Sequence, residues 1–195
     1  ISSTDSIEES DEEEYSKVNL FEDDTTITVT FNYMVLKCNS GSYYMYDDGS
    51  KLAPTTDANN ENARVVLLTS EEKSFLDNPT YSRTIGATSI TANTEYYLYF
   101  YNTGRYVSSY SGDGGIRSKY SVSTSTTSTA KYKFDTGNKL SCTTNSNVYV
   151  GHYRIVGTGD IVYYKNEIAG LNRQWTKYSG GTYSKNYTLQ TQSVL

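Results

Sequence analysis

The chain of 195 residues contains only two prolines, two cysteines, one histidine and one tryptophan. Each shortage closes a class of explanation. Cys38 and Cys142 are too few for a disulfide framework. They leave two readings open, a single bridge or two small buried thiols. One histidine and two cysteines cannot make a zinc site without carboxylates. A histidine triad would hang entirely on His152, and no nucleophile-elbow pattern surrounds any serine. Cys142 lies on a predicted core face, and His152 reads as a surface or interface residue beside Tyr153. No run of 18 apolar residues exists, so no helix of that kind crosses a membrane. Positive charge is also short. The net charge of −5 argues against nucleic acid, whose phosphates need a basic surface. The expectation is a protein that is not an enzyme and uses no cofactor or metal.

What is abundant is tyrosine, 21 residues against 5 phenylalanines. Tyr and Thr suit pleated, half-buried surfaces, while Gly, Asn and Asp suit turns. This balance predicts an all-β fold with many short strands. The acidity is local. Ten acids lie in residues 5–24, opposed only by Lys17, and the rest holds 12 acids against 16 bases. Residues 1–24 therefore read as an acidic flexible tail, and residues 25–195 as a single all-β domain. The acidic, Ser-rich start resembles the tether of bacterial surface lipoproteins. That resemblance implies an extracellular or cell-surface location, with membrane attachment only through a lipid anchor outside this chain.

One phrase occurs three times. Asn39-Ser40-Gly41-Ser42-Tyr43 returns as Asn102-Thr103-Gly104-Arg105-Tyr106 and as Asn145-Ser146-Asn147-Val148-Tyr149. Apolar pairs precede each copy by five and three residues: Met34 and Leu36, Tyr97 and Tyr99, Leu140 and Cys142. Each phrase is thus expected to join two strands in the same register. Downstream, Ala63-Arg64-Val65-Val66-Leu67 matches Ala130-Lys131-Tyr132-Lys133-Phe134, and Arg173-Gln174-Trp175 holds the comparable place in the third copy. Strands are expected at 26–30, 33–37, 43–46, 64–68, 96–101, 106–110, 131–134, 139–143, 148–153, 160–165, 175–178 and 187–190. Residues 121–129 read as an exposed strand or a loop. Residues 70–90 interrupt the first copy, with a helical turn over Glu71–Leu76 that Asn78-Pro79 would stop.

Three units of about four strands, near 26–90, 91–138 and 139–190, predict a β-trefoil, because three such units bury together a face that one cannot. A tandem β-sandwich, as in subunits of bacterial surface fibres, is the competing arrangement. The segment Lys131–Ser141 and the run Arg173-Gln174-Trp175-Thr176 resemble the joins between repeats of ricin-B-type lectins. There a Gln-x-Trp strand leads through a Gly turn into the next repeat. The resemblance implies a trefoil lectin-like scaffold. It does not carry the sugar-gripping Asp, whose matching positions here are Met45, Ser108 and Gly151.

Candidate binding residues follow from chemistry. Tyr offers a flat apolar face for a sugar ring, a hydroxyl, and few rotatable bonds to freeze. Tyr43, Tyr106 and Tyr149 repeat in place and are expected in or near the core. Tyr46, Tyr110 and Tyr153 follow them and are expected to be exposed. Tyr46 adjoins Asp47 and Asp48, and Tyr110 lies near Asp113. An aromatic platform beside a carboxylate is minimal equipment for binding carbohydrate, although turn chemistry also accounts for these Asp residues. The expected function is a non-catalytic, secreted or cell-surface module that binds a glycan. The alternative is a structural or adhesive protein contacting a surface protein, with strand addition as the expected mode.

Overall fold

The computed structural model describes residues 21–113 and 120–193. Residues 1–20 of the expected tail, and Gly114 and Gly115 of an expected turn, lie outside these. The first strand begins at Phe21, inside the segment that the sequence assigns to the tail.

The fold is all-β. In chain order the strands are β1 (Phe21–Cys38), β2 (Tyr44–Asp47), β3 (Leu52–Thr55), β4 (Arg64–Leu68), β5 (Arg83–Ile85), β6 (Tyr96–Phe100), β7 (Arg105–Val107), β8 (Tyr120–Ser121), β9 (Thr124–Ser125), β10 (Lys131–Phe134), β11 (Leu140–Cys142), β12 (Tyr149–Tyr153), β13 (Asp160–Tyr164), β14 (Leu171–Asn172) and β15 (Trp175–Ser193). The helix α1 spans Ser70–Asp77 and stops just before Asn78-Pro79, as expected.

The chain divides into two compact units. Of the described residues, the smaller comprises 21–30, 78–84 and 184–193. In it Thr28 Oγ1 donates to Asn186 Oδ1 at 2.9 Å, Thr30 and Ser184 share a hydroxyl contact of 2.9 Å, and Ser82 Oγ accepts from the Thr28 amide. Ile27 and Val29 alternate with their polar neighbours and are buried.

The larger unit, which among the described residues comprises 31–77, 85–113 and 120–183, holds the main core. Its pairings run through the same sequence three times. A first strand pairs with a second, as Lys37↔Tyr44, Tyr99↔Tyr106 and Ser141↔Tyr149 show. The second pairs with a third, as Met45↔Pro54, Val107↔Thr124 and Val150↔Tyr163 show. The first also meets a fourth, through Met34↔Val65, Tyr97↔Lys131 and the Lys139↔Gln174 bridge. Fourth strands lead into the next first strand, at Val65↔Phe100 and Tyr132↔Cys142. The Asn39 amide donates to Gln174 O at 3.0 Å, which brings β15 back to β1, so the sheet nearly closes.

The core draws on every copy. Met34 and Leu36, Leu98 and Phe100, and Leu140 and Cys142 point inward from the first strands, and Met45, Val107 and Val150 from the second. Trp175 is fully buried and donates from Nε1 to Val150 O at 2.9 Å. The Tyr132 hydroxyl is buried between Ser108 O and the Tyr163 hydroxyl. Burial raises the pKa of both phenols, so they stay protonated donors.

Two expectations on register change. In the second copy Leu98 and Phe100 face the core, not the expected Tyr97 and Tyr99. The three turns also differ in length, because the pairs flanking them are Lys37↔Tyr44, Phe100↔Arg105 and Ser141↔Tyr149. The repeated phrase therefore falls at slightly different places on a repeated pairing scheme. Strands expected to be separate also fuse. Residues 26–30 and 33–37 belong to one strand whose burial alternation slips at Asn32-Tyr33, and that slip reads as a break. The side-chain Nδ2 of Asn32 donates to Gly86 O at 3.0 Å there. Gly86 has φ +102°, and a Cβ on it would lie 2.5 Å from Asn32 O, so only glycine fits. Cys38 and Cys142 are free and buried.

Candidate functional site

Asp47 is fully buried, contrary to its expected place facing a ligand. Its oxygens are occupied. Thr124 Oγ1 donates to Oδ1 at 2.7 Å, Thr103 Oγ1 to Oδ2 at 2.6 Å, and the Gly49 amide to Oδ1 at 2.9 Å. Arg105 Nε stands 3.5 Å away. Asp47 thus ties the turn of the first copy to β7 and β9 of the second. Asp48 is exposed and accepts from the Ser50 and Lys51 amides, each at 2.9 Å. Partial burial works against its charge, yet these hydrogen bonds hold its carboxyl below the usual range.

The three tyrosines expected to be exposed are half-buried. Tyr46 packs on Val35, Tyr44 and Ala63. Tyr110 stacks on Tyr163, with centroids 4.0 Å apart. Tyr153 tilts against Tyr164 at 5.7 Å. Each ring folds back on a neighbouring apolar or aromatic group instead of standing free. Asp113 is exposed and adjoins the undescribed residues. The six candidates lie on three different strand–turn segments. Of the rings expected inward, Tyr106 is buried, while Tyr43 and Tyr149 are half-buried.

The open aromatic faces are elsewhere. Within the larger unit Tyr120, Tyr178 and Tyr183 are 43%, 53% and 43% exposed. Each is backed by a less exposed ring. Tyr120 rests on Tyr110 at 5.8 Å, Tyr178 on Tyr44 at 4.9 Å, and Tyr183 stacks on Tyr101 at 4.4 Å and 19°. Tyr101 also meets Tyr33 at 5.7 Å and Phe31 at 5.9 Å. Arg64 completes this wall. Its carbon Cζ sits 5.1 Å from the Tyr33 ring centre, and its Nη1 donates to the Tyr101 hydroxyl at 3.2 Å. Burial raises the Tyr101 pKa, and the Arg64 contact opposes that shift only in part.

The wall exists because Gly180 and Gly181 lie under Tyr33. A Cβ on Gly181 would be 2.6 Å from the Tyr33 hydroxyl oxygen, and one on Gly180 3.0 Å from Tyr33 O. A ring laid across a strand glycine covers backbone that would otherwise be bare. The Tyr178-Ser-Gly-Gly-Thr-Tyr183 spacing was the available sequence signal for this wall, and the strand expectation ended at Tyr178.

His152 is buried, not at the surface as expected. Its Nε2 lies 2.7 Å from Thr158 O, and its ring is 4.7 Å from the Tyr43 ring. Burial lowers its pKa, the Thr158 carbonyl opposes this, and the nearby Arg154 charge adds to the lowering. The imidazole is thus neutral near pH 7 and spent on holding a turn. Among the described residues no group of three or more His, Cys, Asp or Glu side chains is placed to hold a metal ion. No family model matches the chain, and no curated protein matches it.

Proposed function

We propose that the chain is a non-catalytic binding module of β-trefoil type, secreted or on a cell surface, that takes carbohydrate on its exposed tyrosines. The observation that carries this reading is the wall of Tyr33, Tyr101 and Tyr183. Tyr183 has one face seated on Tyr101 and the rest open to solvent. A sugar ring presents C–H groups that favour such a face, and the ring is held in place before binding, so little freedom is lost. Arg64, which borders Tyr33 and Tyr101 in the same wall, carries further N–H donors for sugar oxygens. The trefoil reading is supported by the four-strand pairing scheme running three times around one core. The lectin-like join is supported by Gln174, whose Nε2 donates to Gly137 O at 2.9 Å, next to the buried Trp175.

A second reading is favoured by strand length. β15 runs for 19 residues and its strand pairing is with β1, so its other edge suits capture of a protein partner by strand addition. A glycan array probed with the purified chain separates the two. Binding to at least one glycan class, lost in Tyr183→Ala and weakened at least about tenfold in Tyr178→Ala, is the expected result. Unfolding stability of these variants should change by only about 1 kcal/mol, since both rings are surface groups. An array with no bound glycan sinks the lectin reading.

A further inference from the structure

A second concavity lies in the larger unit and shares no residue with the tyrosine wall. Ser40, Arg154, Gly170 and Leu171 line it, around a cavity of about 250 Å³. It is smaller than the roughly 300–1,000 Å³ usual for drug-sized ligands, so it fits one small unit and not an extended chain. The Arg154 amide donates to Gly170 O at 2.7 Å, which closes one side. Gly170 has φ +84°, and a Cβ there would lie 2.7 Å from Arg154 O and 2.8 Å from Ile155 Cδ1. Only glycine permits this approach.

Arg154 is the chemically loaded group. Its Nε donates to Gly157 O at 2.7 Å, and its Cζ lies 5.4 Å from the Tyr43 ring centre. These two contacts orient the guanidinium. Among the described residues nothing accepts from its two terminal nitrogens. A held guanidinium with two free, parallel donors matches the two oxygens of a carboxylate. A phosphoryl group would gain from spare backbone amides, but the amides of Arg154 and Leu171 are already donated, to Gly170 O and Ile168 O. The neutral His152 behind Tyr43 adds no second charge.

The rest of the lining fixes the kind of molecule. Ser40 offers a hydroxyl, which among the described residues is shared with the Cys38 thiol at 3.4 Å. Leu171 gives one apolar wall, and Ile155, whose Cδ1 lies beside Gly170, is 67% exposed. One apolar wall is too little for an alkyl chain and enough for one side of a small ring. We propose that this pocket binds the carboxylate of an acidic sugar, a hexuronic or sialic acid unit, with Arg154 as the carboxylate clamp and Ser40 as a hydroxyl contact.

The test is a titration of the intact chain, followed by NMR, with glucuronate, N-acetylneuraminate, their methyl esters, glucose, acetate and a short peptide bearing a free C-terminal carboxylate. The expected result is saturable shifts at Ser40, Arg154 and Leu171 with one or both acidic sugars. Esters and glucose should bind at least about tenfold more weakly. Arg154→Gln should lose the same factor, Arg154→Lys should recover only part of it, and Ser40→Ala should weaken binding less. Tyr183→Ala should leave these shifts intact, which separates this site from the tyrosine wall. Equal binding of acid and ester, or full binding by Arg154→Gln with a normal unfolding curve, overturns the carboxylate clamp. Acetate or the peptide binding as tightly as the acidic sugars overturns the choice of sugar.

Discussion

The hairpin of the first copy, Tyr44–Thr55, and that of the third, Tyr149–Tyr164, share a pairing scheme but use their charged residue in opposite ways. Asp47 ends β2, turns inward, and has its oxygens taken by Thr103, Thr124 and the Gly49 amide. Arg154 follows β12, turns outward, and is held by a hydrogen bond from its Nε and by the Tyr43 ring, with its terminal nitrogens left over. A charge whose partners are all internal stabilises the fold and has little left for a ligand. A charge that is oriented but unmatched costs little to the fold and is available to a partner. Copies of one scaffold can thus divide these roles, which the composition of each hairpin alone does not reveal.

The largest expected effect breaks the first side of this contrast. Asp47→Ala would leave the buried Thr124 hydroxyl without its acceptor, take the closer acceptor from Thr103 Oγ1 and remove the opposite charge beside Arg105. A loss of about 3 kcal/mol is expected. Arg154→Ala should cost about 0.5 kcal/mol or less, as a surface group does. Urea unfolding curves for both variants check this. Equal losses would show that the two hairpins do not differ in the way described.

A smaller effect sharpens the contrast through the turns. Gly49 has φ +99° with nothing within 4 Å of an added Cβ. Gly159 has φ +78°, and its Cβ would fall 2.3 Å from Tyr153 O. Gly49→Ala should cost about 1 kcal/mol, from backbone strain alone. Gly159→Ala adds a clash with backbone and should cost about 2 kcal/mol or more. Thermal unfolding of the pair measures the difference. A Gly159→Ala protein as stable as Gly49→Ala would mean the third hairpin yields where it is described as tight.

Much of the strand pattern was legible in the sequence because alternation is a local property. Residues 64–68 and 131–134 are strands with the expected bounds, and the helix ends where Asn78-Pro79 requires. The fusion of β1 was not legible, because the slip at Asn32-Tyr33 mimics a boundary. The inward face of β6 was misread for a related reason. Tyr-Tyr-Leu-Tyr-Phe is apolar at every position, so periodicity cannot choose between Tyr97/Tyr99 and Leu98/Phe100. The site was the least legible part. Whether Asp47 points in or out depends on Thr103 and Thr124, 56 and 77 residues away. Tyr183 gains its platform from Tyr101, a partner that no spacing within 175–193 announces.

The smallest expected effect lies at His152, which joins the third hairpin's interior to its open charge. Burial and Arg154 lower its pKa, while the Thr158 carbonyl and Asp160 act the other way without reversing the shift. The unfolded chain takes a proton on this residue near pH 6.5, while the folded protein resists it until lower pH. Its contribution to stability is therefore fully present above about pH 6.5. It is lost as the pH falls from there to the lowered folded value, by at most about 1.4 kcal/mol per pH unit. Urea midpoints of the wild type and His152→Gln between pH 5 and 8 isolate this term, because acidic groups titrate in both. The difference should favour the wild type most above pH 7 and shrink on acidification. Arg154→Gln removes one cause of the lowering, so its stability should fall less steeply over the same range. A wild-type minus His152→Gln difference that stays flat with pH would show that the histidine titrates alike in both states, and would separate the pocket's free charge from the core beneath it.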